Sequence, residues 1–179
     1  MRAALEVLGE KGSKGLTHRA VDEAAGVPPG TTTNSFPTRE KLLSAALHRH
    51  VELDTPPSSA LADLDDLELT DDQAKNLVLA ALDRLLEPAA RYLLAARFEL
   101  VLESTRRPEL HADFEPARER FVDLIEALIR ARGCRHPADH AVQLAATLDG
   151  VLVDQLLGAS SALGRSQIED LVERQLATC

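Results

Sequence analysis

The stretch from Gly15 to Leu43 constrains the fold most, because its caps and breakers fall at the spacing of short helices joined by tight turns. Thr17 is a helix start, since its side-chain oxygen can accept from an exposed N–H of the first turn. Val21, Ala24 and Ala25 at i, i+3 and i+4 give that helix an expected buried stripe, with Leu16 and Val27 closing its ends. Gly26 supplies the left-handed residue with which helices often stop, and Pro29 is tolerated in the first turn of the next helix. That next helix is short, about Pro29 to Ser35, because Phe36-Pro37 disfavours helical geometry. Thr38 then caps a further helix that begins Arg39-Glu40-Lys41. Two short helices, a tight turn and the start of a third make a helix-turn-helix that can read DNA.

Here the chain resembles the TetR family of bacterial transcriptional regulators. The resemblance rests on Glu10-Lys11-Gly12, Thr17, Ala25-Gly26-Val27, Gly30-Thr31, Phe36 and Thr38-Arg39-Glu40, followed by Leu42-Leu43. It covers about the first quarter of the chain. It implies an all-α protein of about nine helices: an N-terminal helix-turn-helix domain of three helices, and a C-terminal bundle that binds a small-molecule effector and forms a homodimer. Family members commonly carry Lys where Pro29 stands and Tyr where Thr33 and Ser35 stand. They also have a longer first helix preceded by a basic arm.

Composition agrees with helices. The 179 residues include no Trp, one Tyr and four Phe, so the core must come from Leu, Ala and Val. The net charge of −9 argues against a nonspecific nucleic-acid binder, but the charge is unevenly spread. Residues 1–53 hold seven Lys/Arg against six Asp/Glu, and the remainder thirteen against twenty-three. The acidic excess lies outside the expected head, which orients that head toward phosphates. Cys134 and Cys179 give no metal spacing and are expected as reduced thiols in a cytoplasmic protein. No apolar run is long enough to span a membrane.

Met1 to Lys11 carries a helical stripe of Ala4, Val7 and Leu8. The helix begun after Thr38 continues to about Leu53, with Leu43, Ala46, Leu47 and Val51 on one face. Asp54 to Ser59 breaks the pattern and Asp63 to Asp72 is acidic and turn-rich, which divides the chain into a head, 1–53, and a body, 54–179; a loop within one domain is the alternative. Five more helices follow, near 71–86, 89–104, 108–132, 137–157 and 166–177. The second is apolar on nearly every side, as suits the centre of a bundle. The third carries Leu110, Phe114, Ala117, Phe121, Leu124 and Leu128 as one packing seam.

The candidate DNA-facing residues are Pro29, Gly30, Thr31, Thr32, Thr33, Asn34 and Ser35, with Phe36 as a core plug. Asn can read adenine, and Thr offers a methyl to thymine. Thr17, His18 and Arg19 at one helix start, and Thr38, Arg39 and Lys41 at another, are the candidate phosphate contacts. In the body, polar residues among apolar ones are candidates for the effector site: Arg97, Gln143, Thr147 and Asp149, with Tyr92, Phe98, Phe114 and Phe121 as aromatics that line a pocket or simply fill the core. Arg97 has a structural alternative, pairing with Glu99, Glu103 or Asp149. Gly150, in mid-helix, costs about 1 kcal/mol relative to alanine and is expected at a close helix approach, in a dimer or within one subunit.

No phosphate-binding glycine loop, nucleophile elbow or metal-ligand spacing is evident, so neither an enzyme nor a cofactor is expected. The chain reads as a ligand-responsive regulator binding double-stranded operator DNA, a homodimeric repressor released by a small molecule. The alternative is a helical ligand- or protein-binding module whose DNA binding is weakened or lost through its shortened N-terminus.

Overall fold

The computed structural model describes residues 1–54, 64 and 67–178. Among them are nine α-helices, one 3-10 turn and no strand. In chain order the helices are α1 (Arg2–Gly15), α2 (His18–Ala25), α3 (Thr31–Ser35), α4 (Arg39–Asp54), α5 (Asp71–Leu85), α6 (Arg91–Ser104), α7 (Pro108–Ala131), α8 (Pro137–Leu157) and α9 (Arg165–Leu176), with the 3-10 turn at Pro88–Ala90 before α6. No helix among the described residues is long and apolar enough to cross a membrane. Most of the expected break at 54–59, and the start of the acidic stretch 63–72, lie outside the described residues.

The local signals act as the sequence indicates. Thr17 Oγ1 accepts from Ala20 N at 3.1 Å, Gly26 closes α2 at φ 64°, and Thr38 Oγ1 accepts from Lys41 N at 3.2 Å. Thr70 and Gln73 form a reciprocal capping box at the start of α5. Two details differ. The helix of α3 begins at Thr31, leaving Pro29 in the turn before it, and Ala24 and Ala25 are exposed, so the inner face of α2 is Val21 together with Asp22.

The chain forms two compact units. The first holds α1 to α4, the 3-10 turn, α6 and the beginning of α7, so α6 packs with the head rather than with the rest of the expected body. Its core is Leu5, Leu8, Leu16, Leu42, Leu43, Leu47 and Leu100, with Phe36, Tyr92 and Phe114 packed against it. α1 makes its most extensive contact with α6. Gly9 permits that approach: a Cβ there would overlap the Tyr92 carbonyl oxygen and come within 2.9 Å of its Cα.

The second unit holds α5, the remainder of α7, α8 and α9. Val78, Leu82, Ile125, Leu128, Leu144, Leu148, Leu152, Ile168 and Val172 are buried there. α9 packs on α5 and α8, and Lys75 of α5 reaches Glu173 of α9 at 3.3 Å. Cys134 is disulfide-bonded, which corrects the expectation of a reduced thiol; Cys179 lies outside the described residues. Nearby, Arg132 donates to the Leu176 carbonyl and holds the end of α9 beside the turn after α7. Sequence spacing carries no trace of that contact.

Candidate nucleic-acid interface and cavity

α3 contains no apolar residue at all, only Thr31-Thr32-Thr33-Asn34-Ser35. A helix this short cannot persist without an anchor. The anchor is Asp22 of α2, only 3% exposed. Its Oδ1 accepts from Thr32 N at 2.8 Å and from Thr32 Oγ1 at 2.6 Å, and its Oδ2 accepts from Gly30 N at 2.7 Å. The carboxylate thus satisfies the orphan N–H groups at the start of α3, as an N-cap residue does, but from a neighbouring helix. The Thr32 hydroxyl, and after it the backbone N–H groups, hold Asp22 below the ordinary carboxylate range against the opposing effect of desolvation.

This geometry sorts the DNA candidates. Thr31, Thr33, Asn34 and Ser35 are exposed on α3, as are Pro29, Thr17, Arg19, Thr38 and Lys41 nearby. Thr32 is not available: it is 6% exposed and committed to Asp22. His18 is partly buried, and since a carbonyl only accepts, its Nε2–H donates to Phe36 O at 2.6 Å. Arg19 pairs with Glu23 on the surface at 2.8 Å. Gly30 is partly buried at φ 92° and forms the N-cap.

Arg39 is turned inward. Its guanidinium donates to the carbonyls of Leu16 and Ser13 and to Ser13 Oγ at 2.9 Å. Ser13 follows the kink of α1 at Gly12; its N–H donates to Glu99 at 2.8 Å and its hydroxyl to Glu103 at 2.7 Å. Arg107 donates to Glu103 at 2.8 Å and to Glu40 at 3.1 Å. The Ser13 hydroxyl first, and Arg107 second, hold Glu103 below its usual range. Glu40 is lowered chiefly by its own backbone N–H and by Thr38. The first turn of α4 is therefore fastened to the end of α1 and the end of α6.

Sequence reasoning missed Asp22, Ser13 and this carboxylate pair on α6 as structural anchors. One signal was present for Asp22. A five-residue polar helix must turn some polar group inward, so its partner on α2 had to be polar too.

Two hollows differ in chemistry. A cleft of about 740 Å³ beside α4 is lined by Glu40, Lys41, Ser44, His48, Arg107 and Asp113 among others, and Ser44 and Asp113 already bond at 2.6 Å. A cavity of about 310 Å³ in the second unit is walled by α5, α7 and α8. Among the described residues its lining is apolar throughout, including Val78, Leu82, Phe121, Leu128, Leu148 and Leu152. The second has the predominantly apolar lining usual for small-molecule sites.

Of the expected effector residues, Phe121 alone lines that cavity. Tyr92 and Phe114 pack against the head core, and Arg97 and Phe98 lie on α6 in the first unit. Gln143 is exposed, and the Thr147 hydroxyl donates back to the Gln143 carbonyl at 2.9 Å. Asp149 accepts from Arg118 at 2.8 Å. Periodicity marks which helical face is apolar but not which apolar face meets which, so it does not separate cavity from core. No cluster of three or more His, Cys, Asp or Glu that can hold a metal occurs among the described residues.

Residues 1–46 match the family described as bacterial regulatory proteins, tetR family, and residues 69–178 match the tetracyclin repressor-like C-terminal domain. Three solved structures are similar. A transcriptional regulator from Rhodococcus sp. Rha1 is 22% identical with a TM-score of 0.77, covering 99% of this chain and 91% of its own. A TetR-family member from Streptomyces coelicolor A3 is 30% identical with a TM-score of 0.70, covering 99% and 93%. The multidrug binding protein EbrR, solved with ethidium, is 28% identical with a TM-score of 0.67, covering 99% and 93%. No curated protein matches the chain in sequence.

Proposed function

The chain belongs to the TetR family of bacterial regulatory proteins, and we propose that it is a homodimeric repressor that leaves its operator when a small molecule enters the cavity of the second unit. The observation that carries the DNA reading is the outward face of α3. Thr31, Thr33, Asn34 and Ser35 are exposed there, while Asp22 fixes the backbone beneath them. Asn34 is the base reader, Thr31 and Thr33 offer hydroxyls and methyls, and Thr17, Arg19, Thr38 and Lys41 hold phosphates. Arg39 moves to a positioning role, since its donors are committed inside the head.

The two roles separate experimentally. Asn34→Ala lowers the preference for operator over random DNA by about 1–3 kcal/mol at one base pair. Lys41→Ala weakens binding to all sequences and flattens the log–log salt dependence by about 0.9 for each phosphate no longer neutralised, hence twice that in a dimer. Titrations of both variants at several salt concentrations check this, and equal, negligible effects refute the docking.

The outward side of α8 supports the dimer. Val142, Val153 and Leu157 are 56%, 39% and 74% exposed, and helical spacing places Ala146 and Gly150 on the same side. Among the described residues no atom comes within 4 Å of a Cβ built on Gly150, so no close approach there accounts for the glycine. A second copy of this helix covers such a stripe with the backbones close together. The double substitution Val153→Arg, Leu157→Arg is expected to give a monomer by light scattering. DNA affinity then falls about a hundredfold or more, because the two half-sites are no longer engaged together.

Release is a population shift. An effector acts only by its preference for a state in which the heads depart from the half-site separation of about 34–36 Å. α4, tied at its first turn through Arg39 and Glu40, carries the movement to α3.

A further inference from the structure

The second unit carries a bond at odds with the place where an operator-binding protein works. Cys134, in the turn between α7 and α8, is disulfide-bonded. The chain has only one other cysteine, Cys179, which follows α9 in the sequence. A regulator works where its DNA is, in a compartment that keeps thiols reduced, and a disulfide formed there is transient, catalytic or redox-sensing. The surroundings of Cys134 suit a bond that opens and closes. The residue is half-buried between exposed Gly133 and Arg135, which leaves it open to a small thiol or peroxide. His140 of α8 places Nδ1 3.1 Å from its sulfur. A disulfide sulfur carries no hydrogen, so Nδ1–H is the donor. The proton that a departing Cys134 thiolate takes up is therefore already beside it.

The same turn is where the ends of three helices meet. Leu69 N, just before α5, donates to the Ala131 carbonyl at the end of α7 at 2.9 Å. Arg132, its side chain 10% exposed, donates both to Asp71 of α5 and to the Leu176 carbonyl of α9. We infer that Cys134 and Cys179 form a reversible redox site, closed by a peroxide and opened by cellular thiols, that clamps the end of α9 to this turn. The inference takes its compartment, and nothing else, from the proposed operator binding.

Closing begins when the Cys134 thiol gives its proton to His140 and the thiolate attacks a peroxide oxygen. The O–O bond breaks, one water leaves and Cys134 becomes a sulfenic acid. The Cys179 thiol attacks that sulfur, the S–S bond forms and a second water leaves, so two thiols and one hydrogen peroxide give one disulfide and two waters. Opening begins when a glutathione thiolate attacks the Cys179 sulfur. Cys134 departs with the bonding electron pair and takes the Nδ1 proton of His140. A second glutathione resolves the mixed disulfide, which leaves two protein thiols and one glutathione disulfide.

The test uses the full chain, with thiol labelling and intact mass as readouts. In a glutathione buffer poised at the cytosolic ratio the disulfide is expected to open in most molecules, and equimolar hydrogen peroxide is expected to close it again within the chain, with no covalent dimer on a non-reducing gel. His140→Ala is expected to slow opening at least about tenfold while leaving the thermal midpoint of the oxidised protein unchanged. Opening is expected to lower that midpoint by about 5–15 °C, and Cys179→Ser and Cys134→Ser each show the lower value with or without peroxide. A disulfide that stays closed in the glutathione buffer, or cysteines that join only between chains, overturns the redox site. An unchanged opening rate in His140→Ala overturns the role of His140, and equal midpoints of the open and closed forms overturn the clamp. None of these readouts involves DNA, so their failure is distinct from a failure of operator binding.

Discussion

Gly9→Ala is expected to destabilise the head by about 1–3 kcal/mol, the usual cost of forcing an extra group into a packed contact. The added Cβ overlaps the backbone of Tyr92, not a side chain that can rotate away, so α1 and α6 must separate to admit it. Leu5, Leu8 and Leu100 share the core between these helices, and separation loosens all of them. Alanine is the better helix former at an exposed site by about 1 kcal/mol, so a loss of stability here carries the sign opposite to intrinsic propensity. Thermal unfolding followed by circular dichroism checks it, with a drop of several degrees in the midpoint as the expected outcome. Gly9→Val is expected to unfold the head altogether.

The second large effect is on reading as well as on stability. Asp22→Ala removes the acceptor for Gly30 N, Thr32 N and the Thr32 hydroxyl together, and α3 has no apolar side chain to hold it in place otherwise. If α3 is then ordered for about a tenth of the time, the apparent DNA affinity falls about tenfold. Asp22→Asn is expected to fall between the two, since its amide presents an NH₂ to a donor where the carboxylate presented an oxygen. The effect depends on pH with a definite sign. Asp22 is held below its ordinary range, so its stabilisation is fully present above the unfolded-state pKa of about 3.9 and is lost as the pH falls through the lower folded value. The gap between the unfolding midpoints of the native protein and Asp22→Asn is therefore constant near neutrality and closes in acid. A gap that widens as the pH falls contradicts the assignment.

What the sequence makes legible here is local. Thr17, Gly26 and Thr38 act within a turn of their own position, and the structure finds each in the role its chemistry indicates. The membership of α3 and α4 in one head follows from the same signals, and Phe36 packs against the head core as expected. What escapes is set by distant partners. Arg39 resembles a phosphate contact in sequence, but its donors meet Ser13 and Leu16. Asp149 is a candidate beside Arg97 in sequence, and the structure sets it 2.8 Å from Arg118, on the preceding helix. The apolar face of α6 points to the centre of a bundle, and the helix it packs on most is α1 of the head.

Exposed residues show the same limit from the other side. The helix α8 is broadly apolar in sequence, and Val142, Val153 and Leu157 face outward. Only packing distinguishes a stripe that completes its own core from one that a second copy completes. Gly150 is ambiguous on that point in sequence. Among the described residues no atom lies within 4 Å of a Cβ built there.

The central claim is tested most directly by fluorescence anisotropy of the DNA flanking this protein's own gene, titrated at near-physiological salt against a random duplex of equal length. The account predicts two chains per site and binding at least about a thousandfold tighter than to the random duplex. Equal affinity for the two duplexes, or none for either at low salt, contradicts it.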